Sequence, residues 1–139
     1  MRRNWPTIRE LLERFETEDI NEFLQSANAP VSYDSTATNA ENDKNRAEQA
    51  ARADAVFGHL LLLMDSDLVS GVITVEPSVS GRWVFSLKNP RLTIKGHDTL
   101  DAIRSDTVWN AVKQRAKDSA MPVTLELILA VLKKLSLLA

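Results

Sequence analysis

Apolar side chains recur at helical spacing near the start of the chain. Ile8, Leu11, Leu12 and Phe15 stand at i, i+3, i+4 and i+7, with Arg9, Glu10, Glu13 and Arg14 on the opposite face. The spacing predicts an amphipathic helix over Trp5 to Phe15. Thr17 offers an N-cap for a second helix, EDINEFLQSA, whose early acids complement the helix dipole, and Pro30 closes it. Residues 31–45, VSYDSTATNAENDKN, are polar and turn-rich and read as a surface loop. A long helix is expected to start between Asn39 and Asn45 and to run to about Met64. Thr38 and Glu41 have capping-box spacing, although no apolar run follows them directly. The first half of this helix, KNRAEQAARADA, is built from good helix formers, and its second half, VFGHLLLLM, is much more apolar.

From Gly71 the period becomes two. Val72, Thr74 and Glu76 alternate with Ile73 and Val75, and after a turn at Pro77–Gly81, Trp83, Phe85 and Leu87 alternate with Arg82, Val84 and Ser86. This predicts an antiparallel hairpin whose second strand is interrupted at Asn89-Pro90, with RLTI as a continuation into the sheet. Lys95-Gly96 breaks the pattern, and Leu100 and Ile103 open another helical face. Ser105 can cap the next helix, with Val108, Trp109, Val112 and Ala116 as its stripe and Pro122 as its end. Thr124 to Leu138 is a last helix, apolar around most of its circumference.

Helix, short turn, hairpin and following helix together have the rhythm of a winged helix. The expected fold class is α+β: a winged-helix-like core with a two- or three-stranded wing, flanked by N- and C-terminal helices. The expected layout over residues 1–139 is a single domain, with N-terminal helices at 1–30, a polar loop at 31–45, the core at 46–104 and a C-terminal helical pair at 105–139.

With 44% hydrophobic residues the chain can build a core, and a formal charge of −2 is unlike that of a strongly basic nucleic-acid binder. The chain has no cysteine, which excludes disulfides and thiolate metal sites and fits a reducing cytoplasm. MRRNWPTIRELLERFE lacks the apolar stretch of a signal peptide, and LILAVL is too short to span a bilayer. No nucleophile elbow, phosphate loop, HExxH or dinucleotide fingerprint is present, so neither catalysis nor a cofactor is expected.

The wing carries the first candidate site. Between Ser78 and Lys95 stand Arg82, Lys88, Arg91 and Lys95 and no acid, with Trp83 and Phe85 among them. Such cations can hold phosphates without reading sequence. The plainer reading, favoured by so few charges, is a solvated edge whose positive charge guards against strand pairing. On the long helix, Arg46, Gln49 and Arg52 are candidate phosphate or base contacts. Its last turns present Leu61 and Met64, which would form an exposed docking face or lie buried all round. On the last helix, Leu125, Ile128, Leu129, Leu132 and Leu135 make one stripe, and Leu127, Val131 and Leu138 a second. The second stripe suits a homodimer, or both pack inside a helical subdomain with Trp109 and the first helix. His59 and His97 are expected to be structural, bonded to backbone or to Asp98 or Asp101, and Asp101 with Arg104 to form a surface ion pair.

The phrase LTIKGHDTLDAIRSDTVWNAVKQRAK, with the upstream GHLLLLMDSDLV and RRNWPTIRELLERFE, resembles the bacterial and prophage family labelled domain of unknown function 2513. The matching residues are Ile8-Arg9, Leu11-Leu12, His59, Leu62-Leu63, Leu68-Val69, Leu92-Thr93, Gly96-His97, Leu100-Asp101, Arg104 and Asp106 to Asn110. Residues 17–53 look unlike that family's usual connection and longer than it. The resemblance implies a winged-helix-like fold and a phage or mobile-element setting, with no known activity. The leading expectation is a non-enzymatic winged-helix regulator binding double-stranded DNA as a homodimer. The alternative is a protein-interaction module docking on a host protein through Leu61 and Met64, and a third class is a structural role in a phage particle.

Overall fold

Asn4 sets the first helix. Its side chain accepts the Thr7 N–H at 3.0 Å and caps α1 (Trp5–Glu16), with proline in the first turn. The structure, a computed structural model, describes residues 2–138 and the side-chain environments of 2–135. α2 (Ile20–Ala27) follows a turn in which Glu18 takes a positive φ.

α3 (Asn39–Asp65) is longer than the layout expected, because the loop predicted over 31–45 ends at Thr38. The capping box decides this: Thr38 Oγ1 accepts the Glu41 N–H at 3.1 Å, and the Glu41 carboxylate accepts the Thr38 N–H at 3.2 Å. Asn42, buried on the first turn, binds the preceding loop. Its amide donates to the carbonyls of Asp34 and Thr38, and its oxygen accepts the Asp34 N–H. Local hydrogen bonds therefore start the helix without an apolar run.

β1 (Val69–Pro77) and β2 (Trp83–Leu92) form a two-stranded antiparallel sheet. β2 is continuous through Asn89-Pro90, contrary to the predicted interruption. Between the pairs Ser70–Arg91 and Val72–Leu87 it carries three residues opposite the lone Gly71, and Asn89 and Gly71 both take positive φ to absorb the bulge. A second shift bulges Ile73 outward, so Val72 and Val75 both face the core instead of alternating with it. α4 (Ile94–Arg104) begins before the Lys95-Gly96 break that the pattern suggested. Thr93 caps it by accepting the Gly96 N–H at 3.0 Å. α5 (Asp106–Asp118) is capped by Ser105, and α6 (Leu125–Leu138) completes six helices and one hairpin, an α+β architecture.

The N-terminal helices do not flank the core; they build it. Ile8, Leu11, Leu12 and Phe15 of α1 and Ile20 and Leu24 of α2 pack with Phe57, Leu60 and Leu63 of α3, with the hairpin base, and with Leu100 and Ile103 of α4. A smaller cluster joins Ala102, Val112, Ile128 and Val131, with Trp5 and Trp109 packed edge to face against it at 5.8 Å. Among the described residues no helix is long and apolar enough to cross a membrane.

Arg104 ties α4 to α1 rather than pairing with Asp101. Its guanidinium donates to both oxygens of Glu16 at 2.7 and 3.1 Å and lies 3.6 Å from Glu13. The hydrogen bonds from Arg104 hold the Glu16 carboxyl below its ordinary value. A depressed carboxyl stabilises the fold fully above the unfolded value of 4.5, and that contribution is lost as pH falls through the lower folded value. Both side chains are 35% exposed, so the effect belongs with surface pairs worth about 0–1 kcal/mol. Glu16→Gln is expected to leave a shallower loss of stability below about pH 4.5 in acid titrations followed by circular dichroism.

Candidate nucleic-acid interface

The first half of α3 stands clear of the core. Between Asn39 and Arg52 only Asn42 is buried and only Gln49 is half-buried. Its charges are mixed, but the acids are partly engaged: Glu41 closes the capping box and Glu48 lies 3.9 Å from Lys44.

The hairpin tip is fixed beside this half-helix by Asn28 and Asp54, two residues that sequence reasoning passed over. Asn28, at the end of α2, donates through its amide to the Trp83 carbonyl at 2.7 Å and accepts the Trp83 N–H at 2.9 Å. It therefore pairs with β2 as a neighbouring strand would. The Trp83 indole N–H donates to Asp54 of α3 at 2.9 Å, and the ring stacks on Phe57 with centroids 5.3 Å apart. The Arg82 Nε–H reaches the Asn28 carbonyl at 3.3 Å. An asparagine at a helix end carries no sequence signal for a partner 55 residues away.

This clasp creates a groove of about 370 Å³ between α3, the end of α2 and the hairpin tip. It brings Arg46, Gln49 and Arg82 together. Gln49 is not available as a reader of bases, since its amide donates to the carbonyls of Ala27 and Ala29 at 2.9 and 3.3 Å. It fixes the chain leaving α2. Arg52 is exposed on α3 but outside the groove. Lys88, Arg91 and Lys95 stand apart, at the bulged base of the hairpin and the first turn of α4. Among the described residues none of Arg46, Arg52, Arg82, Lys88, Arg91 or Lys95 forms a salt bridge, whereas Arg9, Arg14, Lys44 and Arg104 do.

The predicted apolar docking residues are placed differently. Leu61 and Met64 are half-buried, and Met64 packs against the main core. The face they share is therefore neither the fully exposed docking surface nor the all-round buried helix that the sequence offered. Val131 is buried in the smaller core and Leu127 packs against it, so the second stripe of α6 folds onto α4 and α5 of its own chain. That is the subdomain alternative with Trp109: it buries Val131 and leaves Leu127 half-buried. The side chain of Leu138 lies outside the described residues.

His59 is structural. It is buried, its Nε2 accepts the Asn4 N–H at 2.9 Å, and its Nδ1 meets the Ala55 carbonyl at 2.6 Å. A carbonyl can only accept, so the neutral ring carries its proton on Nδ1. His97 is exposed and does not make the expected bond to Asp98, Asp101 or backbone, because its place on the first turn of α4 directs it outward.

Comparison with known families adds a lineage to this geometry. A family described as "Hypothetical protein (DUF2513)" matches residues 2–122. The chain belongs to that family. The match includes α1, both clasp residues Asn28 and Trp83, the hairpin and α5, and it stops before α6. The chain is also similar to an uncharacterized protein of Haemophilus influenzae, with 27% identity over 128 residues that cover 92% of this chain and 89% of the relative. No solved structure matches it.

Proposed function

We propose that this family member is a non-enzymatic, winged-helix-like regulator of phage or mobile-element origin that grips double-stranded DNA in the cytoplasm. The order α1–α2–α3–hairpin, with the hairpin clasped beside a protruding helix, supports that reading. One observation carries it: Arg46 and Arg82, without salt bridges among the described residues, meet at one groove between the exposed half of α3 and the hairpin tip. Arg52, Lys88, Arg91 and Lys95 would add phosphate contacts on either side, and Gln49 would position the α2–α3 connection instead of reading bases. The alternative, a protein-interaction module docking through Leu61 and Met64, would have only two half-buried side chains to use, one of them packed against the main core.

The test is fluorescence anisotropy of a labelled duplex across a salt series. Binding is expected to weaken steeply with salt, and Arg46→Ala with Arg82→Ala should reduce the slope by about 0.9 for each phosphate that is no longer neutralised. An absence of duplex binding at low salt, or a slope unchanged in the double variant, would overturn the proposal.

A further inference from the structure

A sugar–phosphate backbone accounts for the two arginines of the groove but not for its floor. Ala27, Ala50 and Ala53 form an apolar surface there, with Pro30 and Val31 beside it. The groove has no carboxylate in its lining, although the chain as a whole carries net negative charge. Its volume of about 370 Å³ falls within the range of small-molecule sites. Guanidinium groups match oxyanions through paired N–H donors, and apolar walls supply area for a hydrocarbon body.

We infer that this groove binds a small organic anion whose apolar body lies on the alanine floor and whose oxyanion is held by Arg46 and Arg82. The ligand class follows from the pairing of cations with an apolar lining. An inorganic anion would leave the floor empty, and an organic cation would face two positive charges. Ser80 and Gly81 close the groove from the hairpin turn, and the Asn28 clasp holds that turn in place. Binding of the anion stands independently of DNA. A regulatory consequence rests on the proposed DNA reading: an anion on Arg46 and Arg82 competes with phosphates, so ligand and duplex exclude each other.

Isothermal titration of the intact chain with octanoate tests the site, with acetate and octylamine as comparisons. Saturable octanoate binding is expected, with acetate and octylamine failing to bind. Arg46→Gln and Arg82→Gln should each weaken it by about tenfold or more. Ala50→Phe, at an exposed helix position, should fill the groove and abolish binding, whereas Lys113→Gln on α5 should leave it unchanged. No saturable binding at about 10 mM, equal binding of octylamine, or binding indifferent to the arginine and Ala50 variants would overturn the site. In the duplex assay, release of DNA by octanoate supports the competition. Octanoate bound without release overturns the competition alone, and octanoate bound by a chain that never binds duplex overturns the DNA reading while the anion site stands.

Discussion

Gly96→Ala is expected to destabilise the fold by about 3 kcal/mol or more, a large fraction of the roughly 5–15 kcal/mol that holds a domain together. Helix propensity alone points the other way. Gly96 lies in the first turn of α4, where alanine is favoured over glycine by about 0.8–1.0 kcal/mol in a helix interior. The neighbourhood reverses the sign. A Cβ at this position would lie 2.0 Å from the Leu68 carbonyl oxygen and 3.0 Å from its carbon. Those atoms belong to backbone, so no side-chain rotation relieves the overlap. The same carbonyl accepts the Thr93 N–H at 3.0 Å, and Thr93 Oγ1 donates to the Asp67 carbonyl at 2.7 Å. Moving α4 away would therefore break the bonds that seat its N-terminus on the end of α3 and the start of β1. Urea unfolding followed by circular dichroism measures the effect, and a variant as stable as the wild type would refute the close approach.

Phe57→Ala is expected to cost about 3–5 kcal/mol. Phe57 is completely buried, with its ring stacked on Trp83 at 5.3 Å and tilted against Phe85 at 5.5 Å. The cavity would open beneath the hairpin, so the loss is not confined to stability. Trp83 carries the indole bond to Asp54 and the paired bonds to Asn28, and those place Arg82 at the groove. The variant should therefore lose its grip on duplex or anion under conditions where circular dichroism still reports a folded chain. Stability comes from thermal unfolding and binding from the assays above. If thermal stability falls but both ligands bind as before, the hairpin tip is held without this stack.

Much of the architecture is legible in the sequence because it depends on neighbours in the chain. The 3.6-residue spacing of Ile8, Leu11, Leu12 and Phe15 marks the buried face of α1, and the structure buries all four. Thr38, Ser105 and the Pro77–Gly81 turn act over three or four residues, within reach of sequence inspection. The loop expected to reach residue 45 stops short because a capping box starts a helix without an apolar run behind it. The strand parity at Ile73 escapes the sequence pattern because a bulge depends on the opposite strand.

The candidate site is legible only as a set of residue types. Of the seven polar positions expected to touch nucleic acid, three, Arg46, Gln49 and Arg82, share one groove. Nothing in the sequence distinguishes Arg82 from Arg91, since both are cations on one hairpin strand or its turn. The distinction is made by Asn28, which holds the tip end of the hairpin against the α2–α3 junction. Likewise, Val131 reads as surplus apolar surface until α4 and α5 cover it, and Met64 until it packs against the main core.

The sequence by itself determined the helices, the hairpin, the α+β class and the family, because periodicity, capping and local motifs are contained in short stretches of chain. Only the tertiary structure decided which cations share a groove and which apolar faces remain open. Those outcomes rest on contacts such as Asn28 with Trp83 and Arg104 with Glu16, 55 and 88 residues apart, whose energies exist only once the chain has folded.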